Sequence, residues 1–169
     1  VWTKFPVAAS FINVHEICSR DLDQDNDIDI LGASSDLNMI AWWRNDGGDT
    51  IQWTQQIIAD YVTLAKSVDA GDFDDDGSID VVGVSIATNR IFWWRNDGGN
   101  PIQWIKYVID STFIGPHHVQ VIDLDKDDDE DIVVAGYLGG EIAWWRNDGG
   151  VPLGWSKQHV DFGVSHACI

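Results

Sequence analysis

The sequence predicts an all-β fold built of repeated four-stranded sheets, and three observations carry that prediction. Motifs recur every 51 residues: Asp21, Asp72 and Asp123 open acidic loops, and Trp42, Trp93 and Trp144 open Trp-Trp-Arg-Asn-Asp-Gly-Gly segments. A fixed period of this size marks an array in which each repeat is one supersecondary unit. No long segment carries apolar residues at helical spacing. Finally, Met39-Ile40-Ala41-Trp42-Trp43, Ile91-Phe92-Trp93-Trp94 and Ile142-Ala143-Trp144-Trp145 are apolar at consecutive positions, so both faces of each must be covered.

The 169 residues read as a single repeat domain. Residues 1–14 hold an outer-strand fragment of a preceding unit, at Trp2–Val7, and a connection; residues 15–59, 60–110 and 111–161 are three units; residues 162–169 begin a further inner strand, at Val164–Ile169. Within the first unit the strands fall at His15–Arg20, Asp29–Ala33, Met39–Arg44 and Trp53–Ile58. Asn45-Asp46-Gly47-Gly48 turns the third strand into the fourth, because Asn, Asp and Gly accept the positive φ that hairpin turns require. A four-stranded sheet of this length, buried on both faces and repeated, is the blade of a β-propeller. The tandem tryptophans are then read as inter-blade packing, one ring facing each neighbour, in preference to sugar or cation binding.

The loop from first to second strand carries the chemistry. Asp72-Phe73-Asp74-Asp75-Asp76-Gly77-Ser78-Ile79-Asp80 places acidic side chains at positions 1, 3, 5 and 9 and glycine at 6. Ca²⁺ takes six to eight oxygens at about 2.3–2.6 Å, and alternating carboxylates on a tight loop converge on one point. Expected side-chain ligands are Asp21, Asp23, Asp25 and Asp29; Asp72, Asp74, Asp76 and Asp80; and Asp123, Asp125, Asp127 and Asp131. Position 7, held by Asp27, Ser78 and Asp129, contributes its backbone carbonyl. That makes three calcium ions per chain. Asn26 and Asp128 replace the glycine at position 6, so the Gly77 loop should be the least strained. An EF-hand is excluded, because position 12 is Gly32, Gly83 or Val134 instead of glutamate and β-rich sequence follows.

A D-x-D-x-D-x-x-x-D loop feeding a short strand, then a tryptophan-rich strand and a Gly-rich turn, resembles the FG-GAP/VCBS repeats of integrin-like β-propellers. The resemblance covers essentially the whole chain. It implies calcium loops that brace each blade, and extracellular or cell-surface roles in adhesion and in protein or carbohydrate recognition; some relatives are attached to, or act as, carbohydrate-active enzymes. Three blades do not close a propeller, which takes about four to eight. Either two chains form a six-bladed ring by homodimerisation, or the chain is a segment of a longer protein.

Composition narrows the partners. With 28 acidic against 10 basic residues the formal charge is −18, which disfavours nucleic acid and anionic membrane surfaces. Three calcium ions would bring it to −12, so the chain should be loose without the metal and firm with it. No apolar run is long enough to span a membrane. A start at Val1 points to a processed or excised piece, and millimolar calcium points to secretion. Cys18 and Cys168 are too few for a disulfide framework and read as buried thiols, with a pairing across a closure as the alternative.

His15, Lys66 and His117 hold equivalent places at the start of the inner strands, and His166 does so after a short deletion. Inner strands line a propeller channel, so these side chains form a possible ligand ring for an anion, an acidic sugar or a transition metal; the plainer reading has them bonding loop carbonyls. His118 and His159 read as surface residues, and Glu16, Glu130 and Glu141 as free glutamates. No nucleophile elbow, zinc-ligand pair or phosphate-cradling loop is present. The functional expectation is therefore a non-catalytic, calcium-stabilised recognition scaffold. The alternatives are a sugar lyase or dehydratase using the channel His and Lys, or a structural repeat unit without a ligand.

Overall fold

The computed structural model describes residues 2–163, which form twelve strands and no helix. Blade 1 is β1 (Val14–Arg20), β2 (Asp29–Ser34), β3 (Met39–Asn45) and β4 (Trp53–Ala59). Blade 2 is β5 (Ala65–Gly71), β6 (Asp80–Ser85), β7 (Arg90–Asn96) and β8 (Trp104–Asp110). Blade 3 is β9 (Pro116–Ile122), β10 (Asp131–Gly136), β11 (Glu141–Asn147) and β12 (Trp155–Phe162). Each blade is an antiparallel meander in chain order. Among the described residues no helix is long and apolar enough to cross a membrane.

The register is the same in all three blades. Trp42 pairs with Leu31, Trp93 with Val82 and Trp144 with Val133, and each fourth strand joins with a one-residue shift beside Ile40, Ile91 or Ile142. Such a bulge adds local twist, which a blade needs from its inner to its outer edge. The turn after each third strand is closed by the amides of Asp46, Asp97 and Asp148 donating to the carbonyls of Gln52, Gln103 and Gly154. Gly47, Gly98 and Gly149 take φ of 67°, 68° and 63° there, the left-handed conformation the sequence called for.

The core lies between the blades. One cluster joins Leu22, Leu31, Ile40, Trp42 and Ile58 of blade 1 to Val62, Val68, Val81, Phe92 and Trp94 of blade 2. A second joins Phe73, Val82, Val84, Ile91 and Trp93 of blade 2 to Phe113, Val119, Ile132, Val134 and Trp145 of blade 3. The tandem tryptophans thus divide as the sequence predicts, Trp93 facing forward into one cluster and Trp94 back into the other. Trp43, on the outer face of blade 1, is covered by Phe11, which meets it edge-on at 4.7 Å; Phe113 meets Trp145 in the same way at 5.1 Å.

The expected outer strand at Trp2–Val7 is not formed. A fourth strand pairs with the third strand of its own blade, and for this segment that neighbour would belong to a blade preceding β1. Trp2 and Phe5 are accordingly exposed. The expected inner strand at Val164–Ile169, with His166 and Cys168, lies outside the described residues.

Candidate metal centres and axial cluster

Each acidic loop begins where an inner strand ends and finishes at the first residue of the second strand, so the sheet fixes both of its ends. Carboxylate oxygens of Asp21, Asp23 and Asp29 lie within 4.8 Å of one another, as do those of Asp72, Asp74 and Asp76, and those of Asp123, Asp125 and Asp127. The loops are wound by their own carboxylates. Asp72 accepts the amides of Asp76 and Gly77 at 3.2 and 2.9 Å, and Asp76 accepts that of Ser78 at 2.8 Å. Asp21 likewise accepts from Asp25 and Asn26, and Asp123 from Lys126 and Asp128. Position 6 has φ of 72° at Asn26, 87° at Gly77 and 75° at Asp128. Position 4 is left-handed too, at Gln24, Asp75 and Lys126, and the sequence carries no signal of it.

Position 9 ties the loop to the third strand. Asp29, Asp80 and Asp131 are fully buried, and one oxygen of each accepts the amide of Asn45, Asn96 or Asn147 at the end of the third strand, at 2.8, 2.7 and 2.8 Å. The other oxygen takes the Leu22 amide, the Trp93 indole N–H or the Leu124 amide. Asp80, Asp131 and Asp25 stand outside the three converging groups, whereas Asp29, gripped by the sheet in the same way, belongs to the group of the first loop. Asp27 and Asp25 remain in their loop, with Asp25 accepting the Asp27 amide at 2.9 Å, and Asp127 accepts the Asp129 amide at 3.1 Å.

The electrostatics fit a cation. Burial first, and then the carboxylates of the same loop, push the pKa of Asp23 and Asp125 up. Burial also raises Asp72, Asp29 to about 6 and Asp80 to about 7, against their backbone hydrogen bonds. Asp23 Oδ1 and Asp74 Oδ1, both at position 3, are buried without a hydrogen-bond partner. Buried acceptors in an acidic loop are costly unless something positive satisfies them. In blade 2 part of that role falls to Arg95, which pairs with Asp74 and, at 2.7 Å, with Asp76.

At the axis, the inner strands bring His15 and Lys66 together, with Nε2 and Nζ 2.8 Å apart, and His15 Nε2 lies 3.0 Å from the Ser35 hydroxyl. The His117 ring packs on Tyr137 at 5.5 Å. Burial and the Lys66 charge lower the pKa of both His15 and His117, which favours neutral rings beside an ammonium group. The next layer corrects the reading of His118. It is no isolated surface residue, because Glu16 and Ser67 are its repeat equivalents: His118 Nδ1 lies 3.0 Å from Glu16, and the Ser67 hydroxyl donates to the same carboxylate at 3.3 Å. Glu16 is therefore engaged. Glu141 is engaged as well, with Lys157 at 3.0 Å and His159 at 2.6 Å, and Glu130 lies over Gly71, where any Cβ would overlap it. Cys18 is a half-buried thiol whose pKa burial and Asp69 push up to about 12, so it is inert.

A family model described as the FG-GAP-like repeat matches twice, over residues 21–83 and 72–134. Each match starts at the first aspartate of one loop and runs through the next loop into a second strand. No curated protein matches the chain.

Proposed function

We propose, from the premise that this chain belongs to the FG-GAP-like repeat family and is a β-propeller-like module, that it is an extracellular, calcium-braced recognition scaffold. One observation carries the metal: in each of three loops three carboxylates converge, and in two of them a position-3 oxygen is buried with no protein partner. Hard oxygen donors on a loop of this pattern suit Ca²⁺. Asp21, Asp23 and Asp29, Asp72, Asp74 and Asp76, and Asp123, Asp125 and Asp127 would hold the ions, joined by loop carbonyls. The non-catalytic reading rests on the same loops, because carboxylates bound to calcium stay ionised and do not transfer protons.

The ligand surface is the axial cluster. Lys66, set beside His15 and near His117, is a cationic spot in a chain of net charge −18, which suits a carboxylate on an acidic glycan or a protein side chain. Titration calorimetry tests both parts. Calcium should bind with three equivalents per chain and raise the melting temperature. A uronate-containing oligosaccharide should bind the wild type and lose about tenfold affinity in Lys66→Ala, the size of one charge-assisted hydrogen bond. Absence of any calcium binding at millimolar concentration would refute the scaffold reading.

A further inference from the structure

A polar cleft of about 460 Å³ opens at the loop end of the seam between blades 1 and 2, within the size range of small-ligand sites. Its walls include Trp42, Arg44, Asp25, Asp46 and Gln56 from blade 1, and Trp104 with the 98–102 turn from blade 2. Asn96 Nδ2 donates to the Leu22 carbonyl across this seam at 3.2 Å, as Asn147 Nδ2 donates to the Phe73 carbonyl across the second at 2.8 Å. The two walls are therefore held in place before any ligand arrives, which spares the ligand the cost of ordering them.

Three residues set this mouth apart from that of the second seam. Gln56 stands opposite Trp42, whereas Tyr107 stands opposite Trp93 and stacks on it with ring centroids 4.6 Å apart. Leu22 stands in the place of Phe73, which meets Trp155 edge-on at 5.6 Å, so Trp104, the equivalent of Trp155, receives no ring from that position. Thr54 stands in the place of Ile105, and its hydroxyl holds Asp46 as the partner of Arg44. Where the second mouth packs ring on ring, the first keeps open space with a half-buried indole on its wall. The loop adds a carboxylate. The second and third loops converge positions 1, 3 and 5, but the first converges positions 1, 3 and 9, which leaves Asp25 exposed on the cleft.

The lining mixes groups of opposite demand. A carboxylate only accepts hydrogen bonds, a guanidinium only donates them, and an amide does both. An anion entering the cleft meets Asp25 and Asp46, and a cation meets Arg44. Neighbouring hydroxyls, each a donor and an acceptor, satisfy all of these groups at once, and the C–H face of a sugar ring lies flat on the electron-rich face of an indole. We infer that the cleft of the first seam binds a neutral pyranose, with its hydroxyls shared among Asp25, Arg44 and Gln56 and its apolar face on Trp104. The inference rests on the recognition reading above and deepens it, because a neutral sugar then has a place of its own, apart from the axial cluster that takes a carboxylate.

Saturation-transfer NMR on the whole 169-residue chain at saturating calcium tests it, with the methyl pyranosides of glucose, galactose, mannose and N-acetylglucosamine as probes. At least one should bind in the millimolar range expected of so small a ligand. Gln56→Tyr, which copies the second mouth, and Asp25→Ala should each weaken that binding by at least about tenfold. Gln56 is exposed and a tyrosine already holds the equivalent place in blade 2, so the melting temperature of Gln56→Tyr should match the wild type. Acetate, which carries the axial carboxylate but no ring, should not displace the sugar. Four results would overturn the proposal: no binding by any probe at tens of millimolar, binding indifferent to Gln56→Tyr, displacement by acetate, or tetramethylammonium bound in the cleft in place of the sugars. Pyranoside binding by a chain that takes up no calcium would sustain the cleft while refuting the calcium scaffold, so the two readings are scored apart.

Discussion

The acidic loop of blade 2 differs from those of blades 1 and 3 in where its arginine goes. Arg44 turns away from its loop to Asp46, at 2.6 Å, and Arg146 to Asp148, at 2.8 Å. Arg95 instead reaches into the loop, to Asp74 and Asp76. The cause lies in the fourth strand. Thr54 and Ser156 donate hydroxyl hydrogen bonds to Asp46 and Asp148 and hold them as partners for the arginine. The equivalent residue in blade 2 is Ile105, which has no hydroxyl, and Asp97 turns to the amides of Gly99 and Gln103. One hydroxyl on a neighbouring strand therefore decides whether a loop carries its own cation, so the three acidic loops are not equal despite their common spacing.

The largest effect that sharpens this contrast is removal of calcium. At a hundredfold excess over its Kd each site adds about 2.7 kcal/mol, so chelation should lower the melting temperature more than any single substitution. Calorimetry should resolve two strong sites and a weaker one in blade 2, where calcium must displace Arg95; three identical sites would break the comparison. Next in size, Asp80→Ala should cost about 2–4 kcal/mol in chelator as well as in calcium, because it strands the Asn96 amide and the Trp93 indole N–H, and denaturant unfolding measures it.

A pH effect should follow in chelator. Asp29 near 6 and Asp80 near 7 hold their protons to higher pH in the folded chain than in the unfolded one, where 3.8 is the ordinary value. The unfolded state then binds fewer protons between about pH 4 and 7, so stability falls as pH rises through that window and levels off above it. Saturating calcium should remove the fall; a calcium-free melting temperature that rises from pH 4 to 7 would contradict the burial of these carboxylates. A smaller effect is expected from Ile105→Thr, which gives Asp97 a hydroxyl and draws Arg95 out of the loop. Blade 2 calcium affinity should rise by about threefold to tenfold, the range of a partly exposed ion pair. Smallest, Arg44→Ala should change stability by less than about 1 kcal/mol, since its pair with Asp46 is solvent-exposed.

Much of this was legible in residues that repeat with the same chemistry. The Trp-Trp pairs announced strands covered on both faces, and the Asp-x-Asp-x-Asp spacing announced a wound loop, with Gly77 marking the left-handed position 6. What escaped depends on residues that share a place but not a type. Glu16, Ser67 and His118 form one axial layer, and no motif joins those three chemistries. Arg95 could not be placed because its direction is set by Ile105, on another strand. Position 4 is left-handed at Gln24 and Lys126, where the winding of the loop overrides residue preference. The structural role of position 9 was hidden as well, since a carboxylate that accepts a backbone amide and one that could hold a metal look alike in sequence.

The asparagine that closes each third strand has a consequence for how the molecule responds as a whole. Through Asn96 and Asn147 each loop is clasped by the blade that follows it. An ion that firms the first loop would therefore steady blade 2, and one that firms the second would steady blade 3, and each blade in turn steadies the loop it clasps, so influence passes between nearest neighbours. Such an array melts from its ends. In hydrogen exchange the amides of β6, flanked by a blade on each side, should be the last to open.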